Sequence, residues 1–106
     1  MALIHATSSN YDELIAAGQP VLVDFWAPWC GPCLALGKVL EEIVPLYDGK
    51  VDIVKVNVDE NQDLAARYGV MSIPTIVLFK GGEIVNKSVG ALPKAKLEEL
   101  LDGVLN

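Results

Sequence analysis

The sequence predicts an α/β domain built on a mixed sheet of about five strands with helices on both faces. Three observations predict it. Apolar runs rich in Val, Ile and Leu stand at 21–26, 51–58 and 76–79; stretches of helical spacing lie between them; and a Lys80-Gly81-Gly82-Glu83 turn joins the last two strand candidates. With 106 residues, 52% of them hydrophobic and 21% charged, the chain can bury a core of its own, and it reads as one domain over residues 1–106.

In chain order, Leu3 to Ala6 is a short edge strand. Thr7 to Asn10 is a polar stop, and Asn10 with Glu13 has the spacing of a capping box that opens a short helix to Ala17, ended by Gly18. Gln19-Pro20 launches Val21 to Trp26, whose near-continuous apolar run suits a central strand covered on both faces. Asp24 is the exception within it. The carboxylate lies either at an exposed edge or buried with its pKa raised by desolvation; the flanking residues offer no polar face, which favours burial and makes Asp24 a candidate proton carrier.

From Leu34 to Tyr47, Leu36, Val39, Leu40, Ile43 and Val44 recur at helical spacing, and this helix begins at Cys30-Gly31-Pro32-Cys33. Pro32 fits a first helical turn, so Cys30 lies at an N-terminal end where unpaired backbone N–H groups point at it. Pro45 should bend or fray the far end. Val51 to Val58 alternates as a second central strand, completing a βαβ unit whose strands run parallel and whose cysteines lie at the C-terminal edge of the sheet. Lys55 in that strand either reaches Asp24 on the neighbouring strand or snorkels to solvent.

Asp59 to Asn61 can cap a third helix through Tyr68, stopped by Gly69. Ile73-Pro74 enters the strand Ile76 to Phe79 through a peptide bond that is cis or trans. The Gly-Gly turn returns the chain through Ile84 to Val89 as an antiparallel strand. Gly90 breaks the run, and Pro93 opens a last helix with Leu97, Leu100, Leu101 and Val104 on one face.

Composition excludes several classes. No apolar run approaches a membrane span, and Met1 to His5 lacks the basic, apolar and cleavage regions of a signal peptide, so a cytoplasmic protein with reduced thiols and no membrane association is expected. The net charge of −6, with eight scattered basic residues, disfavours nucleic acid and is compatible with a monomer. Zinc wants four ligands, whereas the chain offers two cysteines and a distant His5, so no metal is expected and His5 is an ordinary strand or surface residue. A CxxC beside a strand-helix pattern reads instead as a redox pair.

Trp29-Cys30-Gly31-Pro32-Cys33, preceded by Val23-Asp24-Phe25-Trp26-Ala27 and followed by Ile73-Pro74-Thr75 and Gly90, closely resembles the thioredoxin family over essentially the whole chain. The resemblance implies the thioredoxin fold, here a five-stranded mixed sheet flanked by four helices, and reduction of protein disulfides. It implies no bound cofactor: the redox-active group is the Cys30–Cys33 pair, which carries two electrons as a dithiol, gives them up on forming a disulfide and regains them through a thioredoxin reductase, with NADPH or another donor acting only through that partner. It further implies a cis Ile73-Pro74 bond and a client-binding patch of Trp29, Ile73, Pro74, Gly90 and Ala91. Gly31-Pro32 marks a reductant, where related oxidants and isomerases carry histidine.

The expected chemistry is thiol–disulfide exchange, with Cys30 as attacking thiolate and Cys33 as resolving thiol. An isolated cysteine near pKa 8.5 is mostly protonated at neutral pH, so Cys30 draws on the helix N-terminus for its charge. Asp24 would take the Cys33 proton, and Lys55 would tune Asp24 downward. Trp26 reads as core packing; Trp29, beside a turn, does not. Three residues depart from the family pattern: Leu34 follows the second cysteine where a basic residue is common, Lys38 stands in place of a helix-kinking proline, and Met71 replaces a basic residue before the Ile-Pro step. A thiol site with less positive charge is expected to favour apolar contacts in its partners.

Overall fold

The computed structural model describes residues 3–16 and 18–106. Its strands are β1 (Leu3–His5), β2 (Val21–Trp26), β3 (Asp52–Asn57), β4 (Thr75–Lys80) and β5 (Glu83–Val89), and its helices α1 (Tyr11–Ile15), α2 (Gly31–Ile43), α3 (Gln62–Arg67) and α4 (Lys94–Leu105). The sheet order is β1-β3-β2-β4-β5, so the two strands of the βαβ unit lie inside the sheet. β2 and β3 run parallel, β4 runs antiparallel to β2, and β5 closes the far edge as a hairpin with β4.

Two-residue alternation divides the apolar side chains between the faces. Leu22, Ile53, Ile76 and Leu78 point toward α2 and α4, where they bury against Leu36, Leu40, Ile43, Leu97 and Leu101. Val21, Val23, Phe25, Val54, Val56, Val77 and Phe79 point the other way, into a second core with Tyr11 and Leu64. Burial of β2 on both faces, complete from Val21 to Phe25, is what its apolar run encodes, each leucine-sized side chain contributing about 1.5–3 kcal/mol. Asp24 follows Leu22 by two residues and Lys55 follows Ile53 by two, so both enter the α2 side.

The hairpin turns at Gly81 and Gly82, with φ of 62° and 79°; positive values at both central positions demand glycine and match the twist of the flanking strands. Pro45 acts as expected: α2 gives way to a single 3-10 turn, Val44–Leu46. α2 itself runs unbroken from Gly31 to Ile43, with Lys38 in its middle.

Both expected side-chain caps are corrected. Asn10 precedes α1 but makes no capping bond; its Oδ1 accepts the Thr7 N–H at 2.8 Å, so the amide closes the preceding turn instead. Asn61 precedes α3, yet its Oδ1 accepts the Ser8 N–H at 3.1 Å and its Nδ2 donates to the Asn57 carbonyl at 3.1 Å, tying the start of α3 to the β1–α1 loop. α1 ends at Ile15, earlier than expected, and the predicted terminus Ala17 lies outside the described residues.

Candidate active site

The site grows from the junction of β2 and α2. β2 delivers the chain to the end of the sheet, Ala27 to Trp29 turn it, and Cys30 becomes the N-cap of α2, with Gly31 and Pro32 in the first turn, where the missing proline N–H costs no helical bond. Cys30 and Cys33 are joined as a disulfide with Cα atoms 5.2 Å apart. The backbone N–H of Cys33 donates to Cys30 Sγ at 3.2 Å, so one unpaired amide of the helix end is aimed at the first sulfur. That bond and the positive end of the helix favour sulfur as an anion. Cys33 is fully buried and Cys30 nearly so, at 6% exposure.

Ile73-Pro74 is a cis peptide bond, and the Ile73 carbonyl oxygen lies 3.9 Å from Cys30 Sγ. The Ile73 side chain packs on the cluster formed by Ala27, Cys30 and Cys33. Among the described residues, neither its N–H nor its C=O takes a backbone partner. Gly90, at φ of 100°, donates its N–H to the Pro74 carbonyl at 2.8 Å, which brings the segment after β5 to the same rim. Ala91 follows it, exposed. Trp29 is 70% exposed, and its Nε1 donates to Asp59 Oδ2 at 2.8 Å. Leu34 and Met71 are exposed as well, the latter at 95%, so apolar side chains occupy the surface around the disulfide where basic ones were noted as common.

Asp24 has no exposed surface, and no hydrogen-bond partner for either carboxylate oxygen is found among the described residues. Lys55 pairs with it in strand register and places Nζ 3.8 Å from Oδ2, deciding the sequence alternatives for burial of Asp24 and for contact by Lys55. Burial pushes the Asp24 carboxyl up to about 6 from the usual 3.8, and Lys55 acts against this by favouring the anion. Trp26, half-buried, packs on the cysteine cluster as expected, and the Lys55 ammonium lies 4.4 Å from its ring centroid.

Two contributors were not legible as such. Asp59 read only as part of a helix cap, with nothing to connect it to Trp29. Gly37 did carry one, a glycine inside an amphipathic helix, and the structure sets it against Lys55. Among the described residues no group of three or more His, Cys, Asp and Glu could hold a metal ion, and no helix is long and apolar enough to cross a membrane.

Comparison with known proteins agrees with this geometry. The thioredoxin family model matches residues 2–103. The chain is 56% identical to a thioredoxin of Staphylococcus haemolyticus over 102 residues, covering 96% of this chain and 97% of the relative. It is 51% identical to a thioredoxin of Staphylococcus aureus, with the same coverage. It is 49% identical to a protein named thioredoxin 1 from Nostoc sp., covering 95% of each chain.

Proposed function

The chain belongs to the thioredoxin family and is a dithiol–disulfide oxidoreductase, and on that premise we propose that it is a general protein disulfide reductase working through Cys30, Cys33 and Asp24. The observation that carries this reading is Cys30 at the N-cap of α2 with the Cys33 N–H directed at its sulfur, an arrangement that stabilises a thiolate.

In the reduced protein the Cys30 thiolate attacks one sulfur of a client disulfide. A mixed disulfide forms, and the client's other sulfur leaves as a thiolate that takes a proton from solvent. Cys33 then loses its proton to Asp24 and attacks Cys30 Sγ, which breaks the mixed disulfide and releases the second client thiolate. The protein is left with the Cys30–Cys33 disulfide, two electrons having passed to the client. A carboxyl near 6 is mostly ionised at neutral pH and is a stronger base than an ordinary aspartate, which suits Asp24 to this role. Lys55 keeps that carboxyl from rising further.

Clients dock as extended segments on Trp29, Ile73, Pro74, Gly90 and Ala91. The main-chain groups of Ile73, which have no backbone partner among the described residues, supply sequence-independent hydrogen bonds. A thioredoxin reductase returns the two electrons, so NADPH or another donor reaches this chain only through that partner. The setting is the cytoplasm, where the working form is the dithiol.

The test is catalysed reduction of a protein disulfide by the intact chain, by Cys30→Ser and by Cys33→Ser. Cys30→Ser should be inactive and Cys33→Ser should accumulate the mixed disulfide. A midpoint near −270 mV, the reference value for thioredoxins, would fit a reductant, and one at about −120 to −180 mV would identify an oxidant or isomerase. No turnover by the intact chain would overturn the proposal.

A further inference from the structure

Gly37 lies in the middle of α2 on its buried face, a place where glycine is the poorest helix former after proline. Its backbone is not in the left-handed region that calls for glycine. A Cβ built on it would lie 3.2 Å from Lys55 Nζ, tighter than ordinary van der Waals contact, whereas a Cβ on any other glycine would meet nothing within 4 Å. We infer that Gly37 is a positioning residue: the space left by its missing side chain seats the Lys55 ammonium between α2 and the sheet and sets its distance from Asp24.

Three sides of the ammonium are closed, by Asp24 Oδ2 at 3.8 Å, by the Trp26 ring at 4.4 Å to its centroid, and by α2 at Gly37. The fourth opens into a surface cleft of about 490 Å³ bordered by His5, Leu34, Lys38 and Glu41, and the Lys55 side chain is 12% exposed. A methyl group at position 37 requires the flexible end of Lys55 to give, and the clefts that Lys55 borders, this one and a second shared with His5, Trp26, Asn57 and Glu60, leave it room to draw away from Asp24. The backbone need not move, because the atom that must yield is the tip of a long side chain.

The charged and titratable groups around this seat come from each packed element. β3 supplies Lys55; β1 sets His5 beside Lys55 in register; and α2 contributes Lys38 and Glu41 at the cleft and Cys33 in its first turn. β4 places only Ile76 beside Asp24. Lys55 is the cation that draws the Asp24 carboxyl down against the effect of burial, so that carboxyl reports where the ammonium sits. The catalytic consequence rests on the proton-acceptor role proposed for Asp24; the seating of Lys55 does not.

The experiment is a carboxyl-carbon NMR titration of Asp24 in the full-length oxidised protein, comparing the natural sequence, Gly37→Ala, Lys55→Met and the double variant. A retreat of about 0.5 Å from the 3.8 Å separation, at an effective dielectric of about 20, should raise the Asp24 midpoint in Gly37→Ala by roughly 0.4 pH unit. In the Lys55→Met background, Gly37→Ala should leave the midpoint unchanged. An unchanged midpoint in Gly37→Ala alone, or equal shifts in both backgrounds, would overturn the inference. Should Gly37→Ala fail to fold, folding of the double variant would support the inference, because the methyl then enters space the ammonium has left, and failure of both would overturn it. Disulfide reduction measured alongside tests the role of Asp24 separately, since a midpoint raised by about 1–2 pH units in Lys55→Met with an unchanged pH profile of turnover would refute that role and leave the seat of Lys55 intact.

Discussion

The Trp29 indole is bound to Asp59: Nε1 donates to Oδ2 at 2.8 Å, across a separation of 30 residues. One partner precedes Cys30 and the other follows β3, so the bond links the turn carrying the disulfide to the loop entering α3. A ring that is 70% exposed has little packing to hold it, and this bond fixes its direction on the rim of the site.

Asp59→Ala should therefore loosen Trp29 without unfolding the protein. An exposed hydrogen bond of this kind is worth about 0.5–1.5 kcal/mol, so KM for protein clients should rise roughly 2- to 10-fold with kcat little changed. Steady-state reduction kinetics and indole fluorescence check this together. An unchanged KM would mean that the indole is placed by other contacts or does not touch clients.

Asp24 makes stability depend on pH in the direction opposite to a salt-bridged surface aspartate. Its folded value of about 6 lies above the ordinary 3.8, so between those two values the folded protein binds more protons than the unfolded chain. Stability falls as pH rises through this window and remains lower above it, by roughly 2–3 kcal/mol for this group. Asp24→Asn should remove that step, so the variant gains on the natural protein between pH 4 and pH 7 in denaturant unfolding. Parallel pH profiles for the two proteins would contradict the raised carboxyl.

Lys55→Met should carry the Asp24 midpoint upward by about 1–2 pH units, because an opposite charge at this distance favours the anion. The pH range over which stability is lost should widen upward by the same amount. Unfolding curves of the variant from pH 4 to pH 9 measure it, and an unmoved range would show that the ion pair contributes nothing.

Cys30 in the reduced protein should be alkylated with a midpoint below the 8.5 of an isolated thiol, since its sulfur faces a helix N-terminus and the Cys33 N–H. Rate against pH with a small alkylating reagent gives the value directly. A midpoint at 8.5 would remove the helix end as the source of activation.

Leu34→Lys together with Met71→Lys restores the basic residues missing from the surface around the disulfide. The double variant should reduce acidic clients faster at low salt, with an advantage that disappears as ionic strength rises, since exposed charges are screened beyond about 10 Å at 0.1 M. The natural protein should show a flatter salt dependence. Equal salt dependence would mean that these positions lie outside the contact surface.

Much of this site was legible in the residues themselves. The cysteine spacing, Pro32 at a helix start and the apolar run around Asp24 each encode a local preference that tertiary packing left in place. The cis Ile73-Pro74 bond came only from family resemblance, because local chemistry allows both isomers. The caps went astray at Asn10 and Asn61 for one reason: an asparagine side chain near a helix start can bond to the helix or to a neighbouring turn, and here Thr7, Ser8 and Asn57 supplied the competing partners.

By itself the sequence determined the order of strands and helices, the two-sided burial of β2, and the redox pair at the start of α2, since periodicity, turn chemistry and helix-end geometry act over a few residues. Tertiary structure alone decided which distant groups meet. Asp59 reaches Trp29, Lys55 faces Asp24 beside Gly37, and Gly90 reaches Pro74, because strand register and the packing of α2 on the sheet join positions that no local rule connects.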